Sequence, residues 1–298
     1  MWIWKSNSEI DKLEWDLYLA ESDNPFIEHS SWYLDICTKY WGAFFNLKNN
    51  SRIAIPYSKL FGLINNVTRA PYLQRLKIIS PVPVDIVETD SLLEAIRNKF
   101  SCGYLSWDYY HKNSVQRANY ILTNNTQFYN QSQKRNLIKS NQIQLQYQIS
   151  YDVNRLMNWL QTNGENYVYK KDFNNKLFVN LVTALIHQKV AFIVFVVDTQ
   201  NIIIGAAIFT RYKKRLVFFL SFNSKEGKKS GAMVGLIYFI QTQVMTVDEI
   251  LDLEGSDLHG VATFYEGFGA KLIPYYAHEW KQSIFCNLHK MFKLELGF

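Results

Sequence analysis

The sequence predicts a mixed α/β (α+β) protein of two domains, each with a partly antiparallel sheet and helices on both faces. Its 298 residues are enough for two domains. Apolar runs of strand length alternate with segments of helical spacing along the chain. Between residues 192 and 276, three strands joined by short turns are followed by helix, strand, helix and strand. That order indicates a sheet that is antiparallel in one part and parallel in another.

Residues 1–125 are predicted to form the first domain. Helical spacing indicates helices over 10–20, 31–40 and 90–100, and strands are expected near 41–47, 51–57, 60–64, 76–79 and 103–109. Residues 112–132 are rich in Asn, Gln and Ser, apart from an apolar interruption at Tyr120. This composition predicts a domain boundary, with the second domain over residues 126–298.

The second domain is expected to begin with a basic helix from residue 129. Helices at 151–161, where Asp152 is placed as the N-cap, and at 172–188 follow it. The meander comprises strands 191–197, 202–211 and 215–222, and it is followed by a helix at 231–245 and a strand at 250–253. A last helix at 258–268 and a last strand at 272–276 complete the pattern.

Composition excludes several classes of protein. Hydrophobic residues make up 48% and charged residues 19%, which is globular and argues against disorder. No apolar run has the length of a bilayer span, so no integral membrane segment is expected, and the N-terminus does not resemble a signal peptide. The three cysteines form no CxxC pair and the histidines show no metal-ligand spacing. We therefore expect no disulfide framework, no metal and a cytoplasmic location.

Positive charge is concentrated in the second half. Residues 1–125 hold 13 basic and 13 acidic residues, so the whole net charge of +6 lies after residue 125. A basic surface there suits RNA, a membrane face or the phosphates of a nucleotide-containing cofactor. A solvated face without function would have the same composition.

A glycine- and lysine-containing loop joins the third meander strand to the next helix. The loop and its flanks supply the predicted cofactor-binding residues, which are Phe222, Asn223, Ser224, Lys228, Lys229, Ser230, Gly231 and Ala232. A helix N-terminus presents unpaired N–H groups and the positive end of a dipole. This arrangement suits a phosphate or pyrophosphate.

The order of elements resembles the GNAT acyltransferase fold. In that family the loop after the third meander strand binds the pyrophosphate of acyl-CoA through a Gln/Arg-x-x-Gly-x-Gly/Ala pattern. The segment 228–233 is similar, with Lys228 at the Gln/Arg position, Gly231 at the first glycine and Met233 at the last small residue. The family's last helix commonly ends Tyr-Glu-x-x-Gly-Phe, and residues 264–270 read Phe-Tyr-Glu-Gly-Phe-Gly-Ala. The resemblance implies that Tyr265 donates a proton to the departing thiolate.

Nearly the whole chain resembles the Fem-type (FemAB-like) proteins, which carry two GNAT-like domains in tandem. The basic segment Lys-Arg-Asn-Leu-Ile-Lys-Ser at 134–140 and the Asp-Leu-Glu-Gly-Ser segment at 252–256 are similar to segments of that family. The first half resembles its degenerate first repeat. The resemblance implies an N-acyltransferase acting on an amine of a small molecule or peptide. Acyl-CoA is the expected donor and aminoacyl-tRNA the alternative donor, in which case tRNA is a partner.

Acyl transfer to an amine needs a group that moves protons. Glu254 and Ser256 are the candidates beside Tyr265, because they follow a strand at its carboxyl end, where α/β sheets bind ligands. Asp252 or Ser256 is equally placed to cap the helix near residue 258. Two further functions stay open, a non-catalytic binding protein on the same fold and an RNA-binding module that uses the basic second domain.

Overall fold

The computed structural model describes residues 1–23, 25–123, 129–163, 176–255 and 258–282. The chain divides into two compact units. Unit 1 is Met1–Arg117 together with the chain from Pro274 onward, and unit 2 is Ala118–Ile273. The boundary predicted between residues 125 and 126 lies outside the described residues.

Most of the described strands and helices were predicted. The strand expected at 76–79 is present only as isolated bridges at Leu76 and Ile79. The strands Trp2–Ser6, Val115–Thr123 and Gln146–Ser150 were not predicted. The strands are β1 Trp2–Ser6, β2 Tyr40–Asn46, β3 Arg52–Leu60, β4 Ile64–Val67, β5 Cys102–Trp107, β6 Val115–Thr123, β7 Gln146–Ser150, β8 Ala191–Val197, β9 Ile203–Tyr212, β10 Arg215–Asn223, β11 Ile250–Asp252 and β12 Lys271–Lys281. The helices are α1 Lys12–Glu21, α2 Ser31–Cys37, α3 Ile86–Lys99, α4 Gln131–Gln142, α5 Val153–Asn163, α6 Lys176–His187, α7 Lys225–Ser230, α8 Ala232–Phe239 and α9 His259–Glu266.

Unit 1 contains a mixed sheet in the order β1-β2-β3-β4-β5-β12. The first four strands form an antiparallel meander. β4 then pairs with β5 in parallel, and β5 pairs with β12 antiparallel. The last described strand, β12, therefore completes the sheet of the first unit.

Unit 2 contains a mixed sheet in the order β7-β8-β9-β10-β11-β6. Strands β7 to β10 are an antiparallel meander, β10 pairs with β11 in parallel, and β11 pairs with β6 antiparallel. The two units thus repeat one series of pairings. In both, four antiparallel strands are followed by a parallel strand and then by an antiparallel one. The prediction of a mixed α/β fold is confirmed.

Helices cover both faces of the sheet in unit 2. Alternate residues of the fully buried β8 (Phe192, Val194 and Val196) pack in one core with α8. The opposite face is covered by α5 and α6. Arg155 of α5 lies 4.4 Å over the ring of Phe195, and Phe178 of α6 packs edge-on against Phe222.

Two helix predictions in unit 2 need correction. The loop predicted at 223–233 contains the short helix α7, capped by Ser224, whose hydroxyl accepts a hydrogen bond from the N–H of Gly227. The helix predicted over 231–245 is α8, which ends at Phe239 and continues as a π-helical turn, Ile240–Val244. Apolar spacing could not show either feature, because α7 is too short and polar to have an apolar period and a π-turn keeps the same side chains buried.

The cysteines also differ from expectation. Cys37 is a buried free thiol, and burial beside the carboxylate of Glu28 raises its pKa to about 12. Cys102 in β5 is disulfide-bonded, a bond that the sequence analysis, which expected no disulfide framework, did not identify. Because disulfides are rare in the reducing cytoplasm, cysteine usage no longer supports the expected cytoplasmic location.

Candidate functional site

The candidate site begins where β10 and β11 separate. The two strands pair in parallel only from Arg215 to Val217 of β10, although β10 continues to Asn223. After Asp252 the chain stays with β6 instead, because the N–H of Leu253 donates to the carbonyl of Tyr120 and the N–H of Tyr120 donates to the carbonyl of Glu254. The edge of β10 beyond Val217 is therefore not paired with β11, and a bulge between Phe218 and Leu220 lies on this stretch.

A buried ion pair fixes the base of the site. Asp252 is 1% exposed, and its Oδ2 accepts from Nε and Nη2 of Arg215 at 3.1 and 2.8 Å. Its Oδ1 accepts from the amide of Asn119 and from the N–H of Glu254. Asp252 is thus held as a charge-paired anchor rather than as a helix cap, and α9 is preceded by Leu258 with no side-chain cap. The alternative in which Asp252 caps this helix is wrong.

Glu254 lies in the turn immediately after this anchor. Its backbone is left-handed, with φ of 57°, a region in which a residue with a side chain is strained. The turn is held by the hydrogen bonds to Asp252 and Tyr120 described above. The residue is half-buried. Just after β11, Glu254 therefore has a backbone conformation that glycine adopts more easily.

Tyr265 lies near the two carboxylates. It belongs to α9, and its ring is 5.8 Å from that of Tyr120. Burial raises the pKa of the Tyr265 hydroxyl above its ordinary value, and the negative charges of Glu254 and Asp252 raise it further. Within the described part of the chain, this hydroxyl makes no hydrogen bond. The Tyr265 hydroxyl is therefore protonated at neutral pH.

Sequence reasoning missed two residues beside this site, Tyr120 and Asn119. The hydroxyl of Tyr120 donates to Glu266 at 3.1 Å, and burial together with this carboxylate raises the pKa of Tyr120. Asn119 is fully buried beside Asp252. Both precede the predicted boundary in a segment that is otherwise polar. The apolar run at 120–122 was the available signal that this segment contains a strand.

The predicted cofactor-binding residues lie along β10, α7 and the start of α8. Phe222 is 2% exposed and packs against Phe178. Ser224 caps α7, and the hydroxyl of Ser230 donates to the carbonyl of Gly227. Ala232 is buried. Asn223 has a buried Oδ1 without a hydrogen-bond partner among the described residues.

Gly231 has a packing role that explains why glycine is needed there. It ends α7 with φ of 73° and donates its N–H to the carbonyl of Gly227. A Cβ at this position would lie 2.5 Å from the carbonyl oxygen of Asn136 in α4. Backbone N–H groups of this segment are thus engaged in hydrogen bonds within α7. The start of α8 packs closely against α4.

Lys228 and Lys229 instead expose their side chains. Both lie on the surface of α7, as does Lys225. α7 contacts α4, which exposes Lys134, Arg135 and Lys139. Within the described residues, none of these six cations forms an ion pair. We call this set (Lys134, Arg135, Lys139, Lys225, Lys228 and Lys229) the α4–α7 basic surface.

Three further predictions concern Ser256, a metal site and a membrane-spanning helix. Ser256 lies outside them. In the part of the chain that is described, no group of three His, Cys, Asp or Glu side chains is arranged to hold a metal. Over the same part, no helix has both the length and the apolar character that crossing a bilayer requires.

Solved structures share this fold over nearly the whole chain. FemX matches with a TM-score of 0.63 at 10% identity, covering 95% of this chain and 98% of FemX. The C-terminal domain of a proposed lysylphosphatidylglycerol synthetase from Agrobacterium fabrum matches at 0.58 and 13% identity, covering 97% of each chain. L-PGS from Bacillus licheniformis matches at 0.53 and 12% identity, covering 92% of each. No family model and no curated protein matches the sequence. At such identities the likeness shows a Fem/GNAT-like fold.

Proposed function

We propose that this protein transfers an acyl or aminoacyl group from an activated donor to an amine. The observation that carries the proposal is the Tyr265 hydroxyl, which has no partner among the described residues, with Glu254 and Asp252 near it. Because Asp252 is committed to the buried pair with Arg215, we assign the role of base to Glu254. The divergence of β10 from β11 beyond Val217 lies at the same end of the sheet and supports this proposal.

The chemistry assigns one role to each group. The amine nitrogen attacks the donor carbonyl, and a C–N bond forms while the carbonyl π electrons move to oxygen. Glu254 accepts the proton that the attacking nitrogen loses. When the oxyanion collapses, the bond to the leaving group breaks and Tyr265 gives its proton to the departing thiolate or alkoxide. The Tyr265 hydroxyl is protonated at neutral pH, so its proton is present when this step occurs.

The donor is proposed to bind with its phosphates on the α4–α7 basic surface. Lys228 and Lys229 expose their side chains on α7, whereas the backbone N–H groups around Gly231 are engaged in the helix. We therefore expect the lysine side chains, more than backbone N–H groups, to bind the donor's phosphates. Acyl-CoA remains the first donor to test and aminoacyl-tRNA the alternative, because both carry phosphates that this surface suits.

The repeated series of strand pairings supports a tandem GNAT-like, Fem-type organisation. Each unit has the four-stranded meander followed by a parallel and an antiparallel strand. We place the chemistry in unit 2, because Tyr265, Glu254 and the basic surface all belong to it.

A product screen tests the proposed reaction. The full chain is incubated with acetyl-CoA, longer acyl-CoAs or charged tRNA, each with small amines and lysine-containing peptides, and N-acylated products are sought by mass spectrometry. We expect one donor class to give product. Binding is measured by calorimetry on the same donors, and Lys228→Glu/Lys229→Glu is expected to weaken it at least about tenfold. Tight donor binding without product in any combination would refute the reaction.

The second candidate is a non-catalytic binding protein on the same fold. The observation that favours it is α7, whose internal hydrogen bonds fill the loop where the resembling family binds pyrophosphate. This candidate predicts donor or RNA binding without turnover. An RNA-binding role in particular predicts affinity that falls steeply with salt and does not depend on the aminoacyl group.

A further inference from the structure

A cavity of about 470 Å³ lies wholly within unit 1, away from the residues of the proposed reaction. One wall is the face of α3 that carries Asp90, Glu94 and Arg97. The other is the segment Tyr110-His111-Lys112, and Gln282 closes one side. This volume is in the range of small-molecule sites.

The two cations that line this cavity, Arg97 and Lys112, have no acidic partner among the described residues. Arg97 is half-buried, and its Nε is buried without a hydrogen bond to any described residue. No described residue forms an ion pair with Arg97 or Lys112. A buried donor without a partner is unfavourable, so a ligand that accepts hydrogen bonds would satisfy Arg97.

The acids of the cavity are equally unpaired. Asp90 and Glu94 line it, and neither forms an ion pair with a described residue, although Arg97 is on the same helix. Two carboxylates among the lining residues would repel a polyphosphate. They would attract an ammonium group. The lining therefore carries two full positive and two full negative charges, which balance.

The charges are ordered along α3. Asp90 and Arg97 are seven residues apart in one helix, which places their backbones about 10 Å apart at the helical rise. An extended tripeptide spans about 10 Å between its ends. Leu93 lies between these charged positions, and Tyr110 lines the other wall. Leu93 is only 2% exposed, so the ring of Tyr110, which is 57% exposed, supplies the apolar surface at the middle of the cavity.

We propose that this cavity binds a short zwitterionic peptide. The peptide carboxylate would lie on Arg97 and Lys112, and its ammonium group on Asp90 and Glu94. Tyr110 would contact small side chains between the two ends. This site does not depend on the proposed transferase chemistry, since all of its residues belong to unit 1.

Calorimetry with trialanine tests the proposal on the full chain. The comparison peptides are N-acetyl-trialanine and trialanine amide, each of which lacks one end charge, and inorganic phosphate is the plain anion. We expect trialanine to bind with a Kd of about 1 mM or tighter, and each blocked peptide to bind at least about tenfold more weakly. Phosphate binding that exceeds trialanine binding would overturn the zwitterion assignment.

Variants then locate the binding. Arg97→Gln and the exposed Lys112→Gln are each expected to weaken trialanine binding at least about fivefold. Lys99→Gln is the matched control on α3, because Lys99 does not line the cavity and lies over the ring of Trp4 instead. Circular dichroism checks that each variant is folded. Equal affinity in Arg97→Gln, Lys112→Gln and Lys99→Gln would refute the site, as would the absence of binding to the natural sequence at about 10 mM peptide.

Discussion

At the scale of single residues, Glu254 has a strained backbone at the site of the proposed chemistry. Strain at functional residues persists because the surrounding structure holds it. Replacing Glu254 by glycine removes that strain, and we expect Glu254→Gly to be as stable as the natural sequence or more stable by about 1 kcal/mol. Activity should nevertheless be lost, because the carboxylate is gone.

Urea unfolding and the transfer assay together check this expectation. Glu254→Gln is the matched variant, since it keeps the side-chain shape and the strain but not the charge. A Glu254→Gly protein that is less stable and fully active would show that Glu254 has a structural role only.

His278 in β12 makes stability depend on pH. Its Nε2 accepts from the indole N–H of Trp107 at 2.8 Å, and it is 1% exposed. Burial, followed by the electrostatic effects of His111 and Arg97, lowers its pKa to about 4. The unfolded chain takes up the proton near pH 6.5, before the folded one does. As pH falls from about 6.5 to about 4, the unfolded state therefore gains stability and the fold loses on the order of 2 kcal/mol.

The measurement is the urea midpoint at pH values on both sides of this window. His278→Gln keeps an acceptor for Trp107 but cannot titrate, so its midpoint should fall less on acidification than that of the natural sequence. His259→Gln, at an exposed position of α9, is the control. Parallel pH curves for all three proteins would contradict this role of His278.

At the scale of elements, α8 depends on a close approach to its neighbours. A Cβ at Gly235 would overlap the Tyr147 hydroxyl and lie 2.8 Å from Oγ of Ser140 in α4. We expect Gly235→Ala to destabilise the protein by about 1–3 kcal/mol through this overpacking. A Cβ added at Gly260 in α9 would meet no described atom within 4 Å, so Gly260→Ala should be neutral or slightly stabilising.

Equilibrium urea unfolding of these two variants distinguishes packing from helix propensity. Alanine favours a helix over glycine at both positions, so propensity alone would stabilise both proteins. Equal midpoints for Gly235→Ala and Gly260→Ala would show that α8 does not pack against Tyr147 and α4 as described.

The sequence predicted most elements but not the details of the donor segment. The buried strand β8 is a continuous apolar run, and the Asp152 cap of α5 is confirmed by its acceptance of the Arg155 N–H at 2.9 Å. Local sequence determines both features. In contrast, α7 depends on the Ser224 cap and on the contact of Gly231 with α4, and the second is a tertiary contact. The role of Asp252 also depends on its ion pair with Arg215, which is distant in the sequence. The residues next to Asp252 could not identify this partner.

At the scale of the whole molecule, sequence order and strand pairing differ. β6 follows β5 in the chain but pairs with β11, and β12 follows β11 but pairs with β5. Such long-range pairing leaves no local pattern in the sequence. For this reason the repeated series of pairings was visible only in the structure.

This pairing makes unit 1 depend on the end of the chain. A fragment 1–117 lacks β12, whose Tyr275, Ala277 and Trp280 are buried. The indole N–H of Trp280 also donates to the carbonyl of Phe100. We expect this fragment to show no cooperative thermal transition, because β5 would be an unpaired apolar edge. A sharp transition in the isolated fragment, followed by circular dichroism, would show that β12 is dispensable for unit 1.

The most direct test of the proposed reaction compares two tyrosine variants in the transfer assay, with the donor and amine that the product screen identifies. Tyr265→Phe removes the proposed proton donor, whereas Tyr151→Phe changes an exposed tyrosine elsewhere in unit 2. We predict that Tyr265→Phe lowers kcat/KM by about 100-fold or more while donor affinity changes little, and that Tyr151→Phe matches the natural sequence. A Tyr265→Phe enzyme within about threefold of the natural rate would contradict the assignment of Tyr265 as the proton donor.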